Sequence, residues 1–130
     1  GQQDRLNVFG VGSDTTDGTG VRDFIHVMDL AEGHVAALKY LQDNTGYHVF
    51  NLGAGVGRSV LEVINVFEAV CNKTIAVEMM PRRSGDVSVC FANADKAQRE
   101  LGWTAKRSLE DICASAWNFG SKMIDIETSN

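Results

Sequence analysis

The stretch Tyr47-His48-Val49-Phe50-Asn51-Leu52-Gly53-Ala54-Gly55-Val56-Gly57-Arg58-Ser59-Val60-Leu61-Glu62 decides the fold class. Its first six residues form a short apolar run that reads as a strand. Gly53 to Arg58 read as a glycine turn, and Ser59 with Glu62 three places on forms the capping-box pattern that opens a helix. Val60, Val63, Ile64, Phe67 and Val70 then recur at helical spacing. A strand that passes through a turn into an amphipathic helix is an α/β unit, and the chain alternates the same way on either side of it.

Upstream, Leu6 to Phe9 reads as a strand that enters a loop rich in Gly, Asp, Thr and Ser from Gly10 to Gly20. Val21 to Val27 is expected to be a short extended segment, and Asp29 is a candidate N-cap. A helix is expected from Leu30 to Leu41, with Leu30, Ala37, Leu38 and Leu41 on one face, Gly33 weakening it and Asn44 and Gly46 ending it. Downstream, Ile75 to Met80 reads as a strand interrupted by Pro81-Arg82-Arg83-Ser84-Gly85. Asn93 or Asp95 is expected to cap a helix that runs to Leu101 and closes at Gly102. A last helix starts at Ser108, with Asp111 as its partner, and should bury Leu109, Ile112, Cys113 and Ala116. The fold class is therefore α/β, or mixed α+β.

The 130 residues suit one domain, with 44% hydrophobic residues and a single proline. Seventeen acidic against twelve basic residues give a net charge of -5. That balance argues against a nucleic-acid or anionic-membrane partner, either of which calls for a basic face. No apolar run approaches the length of a membrane span, and Gly1 to Arg5 carries no signal-like core. Cys71, Cys90 and Cys113 are odd in number and widely spaced, which fits reduced thiols in the cytoplasm better than a disulfide framework or a metal site.

Chemistry-bearing residues are few. The glycines at 53, 55 and 57 do not keep the G-x-G-x-x-G spacing of a dinucleotide turn. They read as a tight strand-to-helix connection, as a cofactor cradle, or as a turn that lets a ligand approach the backbone at a helix start. Arg22, Arg82 and Arg83 are the candidate anion binders, because a guanidinium forks onto phosphate in a way lysine does not; the alternative is solvated surface charge. His26, His34 and His48 share no ligand spacing, and Trp103 and Trp117 read as packing residues.

Five elements together give the chain a family resemblance. They are Leu6-Asn7-Val8-Phe9-Gly10, the run from Asp17 through Val21-Arg22-Asp23-Phe24-Ile25-His26-Val27-Met28-Asp29-Leu30-Ala31 to His34, Asn51 to Gly57, Pro81-Arg82-Arg83-Ser84-Gly85-Asp86, and Ala94-Asp95-Lys96-Ala97 leading to Glu100-Leu101-Gly102-Trp103. In order and spacing the chain resembles the carboxyl-terminal region of UDP-glucose 4-epimerases, members of the extended short-chain dehydrogenase/reductase superfamily. The glycine and arginine elements occur widely among nucleotide-sugar enzymes, whereas the long run around Arg22 is much more specific.

The resemblance implies the substrate lobe of a Rossmann-type enzyme that interconverts UDP-galactose and UDP-glucose through a 4-keto intermediate. NAD would be bound by an amino-terminal domain outside this chain, and residues 28–53 would pack on that domain. The family's Ser/Thr, Tyr and Lys group is expected upstream, since Tyr40 is followed four places on by Asn44 and Tyr47 by Asn51. No catalytic residue is therefore expected in the chain, and alone it should be inactive. Carried over by position, Asn7, Val8 and Phe9 would line the uridine side, Arg22 and Arg83 would hold the diphosphate, and Val60 would contact the nucleotide. Asp86 would accept from a ribose hydroxyl, and Cys90 would border the sugar. A homodimer is implied for the full-length protein. Two alternatives stay open: another nucleotide-sugar dehydratase or decarboxylase of the superfamily, and a non-catalytic nucleotide-sugar-binding module.

Overall fold

The computed structural model describes residues 4–128, with side chains as far as 122. Of the polar amino terminus read above, residues 1–3 lie outside the described residues. The elements run β1 (Leu6–Val11), β2 (Val21–Asp23), α1 (Val27–Asp43), β3 (Gly57–Ser59), α2 (Val60–Cys71), β4 (Val77–Pro81), β5 (Val89–Cys90), α3 (Asp95–Leu101) and α4 (Leu109–Thr128). The α/β expectation is met by two small sheets. In one, β1 and β4 pair in parallel; in the other, β2 is flanked by antiparallel β3 and parallel β5.

Local signals placed some of the helix ends. The capping box at the head of α2 is reciprocal: Ser59 Oγ accepts from Glu62 N at 3.0 Å and Glu62 Oε2 accepts from Ser59 N at 2.7 Å. Glu62 is held below the ordinary carboxylate range, chiefly by that Ser59 N–H. Ser108 and Asp111 make the same exchange at the head of α4, at 3.2 and 2.9 Å. Gly102 closes α3 in the left-handed region, with φ 63°. At the other end of α3 neither Asn93 nor Asp95 is the N-cap: that position is Ala94, whose side chain has no oxygen to offer, and Asn93 Oδ1 instead accepts from Asp95 N at 2.9 Å.

Several expectations are corrected. The segment from Val21 is a strand only to Asp23, because the N-cap of α1 is His26, whose Nδ1 accepts from Met28 N at 3.0 Å. Asp29 lies inside the helix and is buried. Leu38 and Leu41 do not join a core, and Ala116 in α4 is exposed as well. Gly33 is there for packing: a Cβ on it would meet Leu52 Cδ1 at 2.7 Å and Trp103 Cε2 at 3.2 Å. Tyr47 to Leu52 forms no ladder among the described residues. Among the described residues its hydrogen bonds involve side chains: Lys96 Nζ to Val49 O at 3.0 Å, Asn51 Nδ2 to Asn93 O at 3.3 Å, and His48 Nε2 with Thr45 O at 3.1 Å. A strand needs a neighbour to take its backbone groups, and none is present among the described residues.

The buried apolar residues are Val8, Ile64, Ala97, Trp103 and Cys113. Phe67 of α2 meets Trp117 of α4 edge to face, with ring centroids 6.2 Å apart. In contrast, Met28, Ala31, Val35 and Leu38 form an exposed stripe at spacings of three and four along α1, Leu38 being 66% exposed, and Tyr47 nearby in sequence is 91% exposed. So long an unpartnered apolar stripe is unusual on the outside of a finished globule.

Candidate functional site

The loop after β4 is largely exposed and reaches β1 through Arg83. Gly85, with φ 85°, turns the chain so that Arg83 O accepts from Asp86 N at 3.3 Å. Arg83 Nε donates to Asp86 Oδ2 at 2.9 Å, and its guanidinium lies 5.0 Å over the Phe9 ring. Arg82 Nε donates to the Asp86 carbonyl at 2.9 Å, which stiffens the same turn. Phe9, Arg83 and Asp86, drawn from stretches more than 70 residues apart, therefore form one cluster. Asn7 is exposed on β1 opposite Glu78. Val8 is only 1% exposed, so what it can offer a ligand is backbone.

The second cluster sits on the three-stranded sheet. Arg22 is in register with Cys90 on β5 and with Arg58 on β3. Its Nη1 donates to Val21 O at 2.8 Å and to Ser88 O at 3.4 Å. Cys90 is exposed. Val60 opens α2 and donates its N–H to Gly20 O at 3.2 Å, which fixes the helix start beside β2. Residues 86–90 link the two clusters along the chain. Together they offer guanidinium groups, a flat aromatic face and a carboxylate, a set suited to an anionic ligand with a polar, hydroxyl-bearing body. Among the described residues no group of His, Cys, Asp and Glu is placed to hold a metal ion.

Three aspartates organise this region; the sequence pattern points to no role for Asp17 or Asp23 and to a different one for Asp29. Asp23 accepts from Ala54 N at 2.9 Å, Gly55 N at 3.1 Å and Ala92 N at 3.1 Å, so one carboxylate fastens the glycine turn to the end of β5. Asp17 accepts from the Ser59 hydroxyl and from Thr19 N and Oγ1, at 2.9 and 2.8 Å for Thr19. Burial pushes Asp17 up, but these hydrogen bonds outweigh it and hold the carboxyl below its usual range. Asp29 is 0% exposed and accepts from Lys106 N at 3.2 Å, Arg107 N at 3.0 Å and the Arg107 guanidinium. Its backbone carbonyl takes Trp103 Nε1 at 2.9 Å. Burial opposes ionisation here too, and the Arg107 and Lys106 N–H groups with the Arg107 charge overcome it.

The glycine turn does not fit a dinucleotide. A Cβ on Gly53 would meet Asp23 Oδ2 and Ala92 Cβ, the latter at 2.6 Å, and one on Gly57 would meet Val21 Cγ1 at 2.6 Å and Phe91 Cδ1 at 2.9 Å. These glycines make room for the chain's own side chains. Only Gly55 is required by its backbone, with φ 71°.

Residues 1–116 match the family model described as GDP-mannose 4,6 dehydratase. A UDP-glucose 4-epimerase of Yersinia pestis is 52% identical over 122 residues, 94% of this chain and 36% of that protein. The crystal structure of UDP-glucose-4-epimerase from Stenotrophomonas maltophila with bound NAD and formylated UDP-arabinopyranose superposes with a TM-score of 0.92 at 44% identity, over 96% of this chain and 37% of that one. The UDP-Glc/GlcNAc 4-epimerase of Campylobacter jejuni superposes with a TM-score of 0.83 at 44% identity, over 93% and 37%. The chain thus spans about a third of the length of these relatives. It belongs to the family described as GDP-mannose 4,6 dehydratase, within which it is similar over nearly its whole length to one part of the UDP-glucose 4-epimerases, enzymes of Rossmann-type extended short-chain reductase fold.

Proposed function

We propose that this chain is the UDP-sugar-binding part of a UDP-glucose 4-epimerase that interconverts UDP-galactose and UDP-glucose. The observation that carries the reading is the Phe9–Arg83–Asp86 cluster, a guanidinium fixed between an aromatic face and a carboxylate. Arg83 and Arg22 hold the diphosphate, Asn7, Phe9 and the Val8 backbone line the uridine, and Val60 supports the nucleotide at the head of α2. Asp86 accepts from a ribose hydroxyl, and Cys90 borders the sugar.

NAD supplies the hydride chemistry from a domain outside this chain, in keeping with a glycine turn filled by its own side chains and with the third of each relative that the chain spans. The exposed α1 stripe and the unpaired Tyr47–Leu52 segment are read as surface covered by that domain, through residues 28–53. The chain's own part in the reaction is to bind and orient the substrate. Among the described residues no helix is long and apolar enough to cross a membrane, and we place the full-length protein in the cytoplasm as a homodimer serving galactose metabolism.

Purified full-length protein should convert UDP-galactose to UDP-glucose and retain NAD, while the 130-residue chain with added NAD should not turn over. A different product is the second reading: the matched family model is described as a dehydratase, and a 4-keto-6-deoxy sugar as product would establish that class instead. Turnover by the isolated chain would overturn the division of labour.

A further inference from the structure

We propose that Arg58 is a further guanidinium for the diphosphate, a role that rests on the nucleotide-sugar reading above. Arg58 and Arg22 are direct partners on antiparallel strands β3 and β2. Partners in such a ladder project from the same face, with Cβ atoms about 4.5 to 5.5 Å apart, and like charges so placed repel unless an anion lies between or above them. On the other side of Arg22 the register partner is Cys90, so Arg58, Arg22 and Cys90 form one row across the sheet. Two places after Arg58 comes Val60, the nucleotide contact at the head of α2. The row therefore runs from the proposed sugar position, through the proposed diphosphate arginine, to a second cation.

Among the described residues Arg58 makes one ion pair, with Glu62 at 3.4 Å, the two side chains being 47% and 49% exposed, and its charge also reaches Glu110 at the head of α4. Glu62 is already committed through its other oxygen to Ser59 N at 2.7 Å. The ion pair is long and solvated, the kind that contributes little and exchanges readily for a stronger anion. A diphosphate carries more charge than one shared carboxylate and presents oxygens that a guanidinium can take in pairs.

The test is calorimetric titration of full-length protein with UDP and, separately, with uridine, for wild type, Arg58→Ala, Arg58→Lys and Arg22→Ala. Removing Arg58 should weaken UDP about tenfold, the effect of one charge-assisted contact, leave uridine binding unchanged, and be partly restored by Lys. The capping box does not use the Arg58 side chain, so the variant should melt close to wild type. Unchanged UDP affinity in Arg58→Ala beside a loss in Arg22→Ala would overturn the role of Arg58 and leave the nucleotide reading standing. No UDP binding by wild type would remove both.

Discussion

The guanidinium of Arg83 lies 5.0 Å over the ring of Phe9. Because Asp86 anchors Nε of the same group, the stack is fixed in direction, with the remaining donors available for a ligand. Such a contact lowers the cost of ordering a long side chain when an anion binds.

Phe9→Leu keeps the apolar bulk and removes the π face. UDP affinity of the full-length protein should fall roughly three- to fivefold, the range of an exposed cation–π contact, with little change in melting temperature. Titration of the two proteins with UDP checks this, and equal affinities would mean that the ring does not pre-position Arg83.

What the sequence disclosed was local. Ser59 with Glu62, Ser108 with Asp111, and Gly102 after Leu101 are interactions over a few residues, and each formed where its pattern stood. Asp29 was misread because an Asp near a helix start has a ready local use as a cap, while its actual partner Arg107 is 78 residues away. Asp23, whose partners are 31, 32 and 69 residues distant, carried no local signal. The Tyr47–Leu52 run shows the converse: strand propensity was legible, but a strand exists only beside a neighbour. Of the eight site residues, Arg22 and Arg83 stood out by their own chemistry as anion binders, and the other six were named through resemblance. The fold brings Phe9, Arg83 and Asp86 into contact and sets Arg22 beside Cys90 and Arg58, and the register that singles out Arg58 could not be read before the strands were paired.

Asp29 ties α1 to the segment before α4. Its depressed pKa means that this contribution is fully present above the unfolded value, about 3.9, and is lost as pH falls through the lower folded value. Asp29→Asn should lower the melting temperature of the full-length protein by roughly 2 to 10 °C at neutral pH. It should also flatten the loss of stability below about pH 4. Melting curves across pH 3 to 7, taken with about two points per pH unit, check the sign: an Asn variant as acid-sensitive as wild type would contradict it.

Cys90 is exposed and carries a small side chain at the position proposed to border the sugar. The full-length protein is expected to accept UDP-N-acetylglucosamine, and Cys90→Tyr to exclude it by overpacking of about 1 to 3 kcal/mol while sparing UDP-galactose. Assays with both substrates decide it, since equal loss on both, or on neither, would mean that position 90 does not gate the sugar.

Whether this chain holds the diphosphate is decided by the dissociation constant of UDP for full-length wild type, Arg22→Ala and Arg83→Ala. Each alanine variant should lose about 1.5 to 3 kcal/mol of binding, with Lys at either position restoring only part because it keeps the charge and loses the planar fork. Wild-type affinity for UDP in both alanine variants would contradict the account.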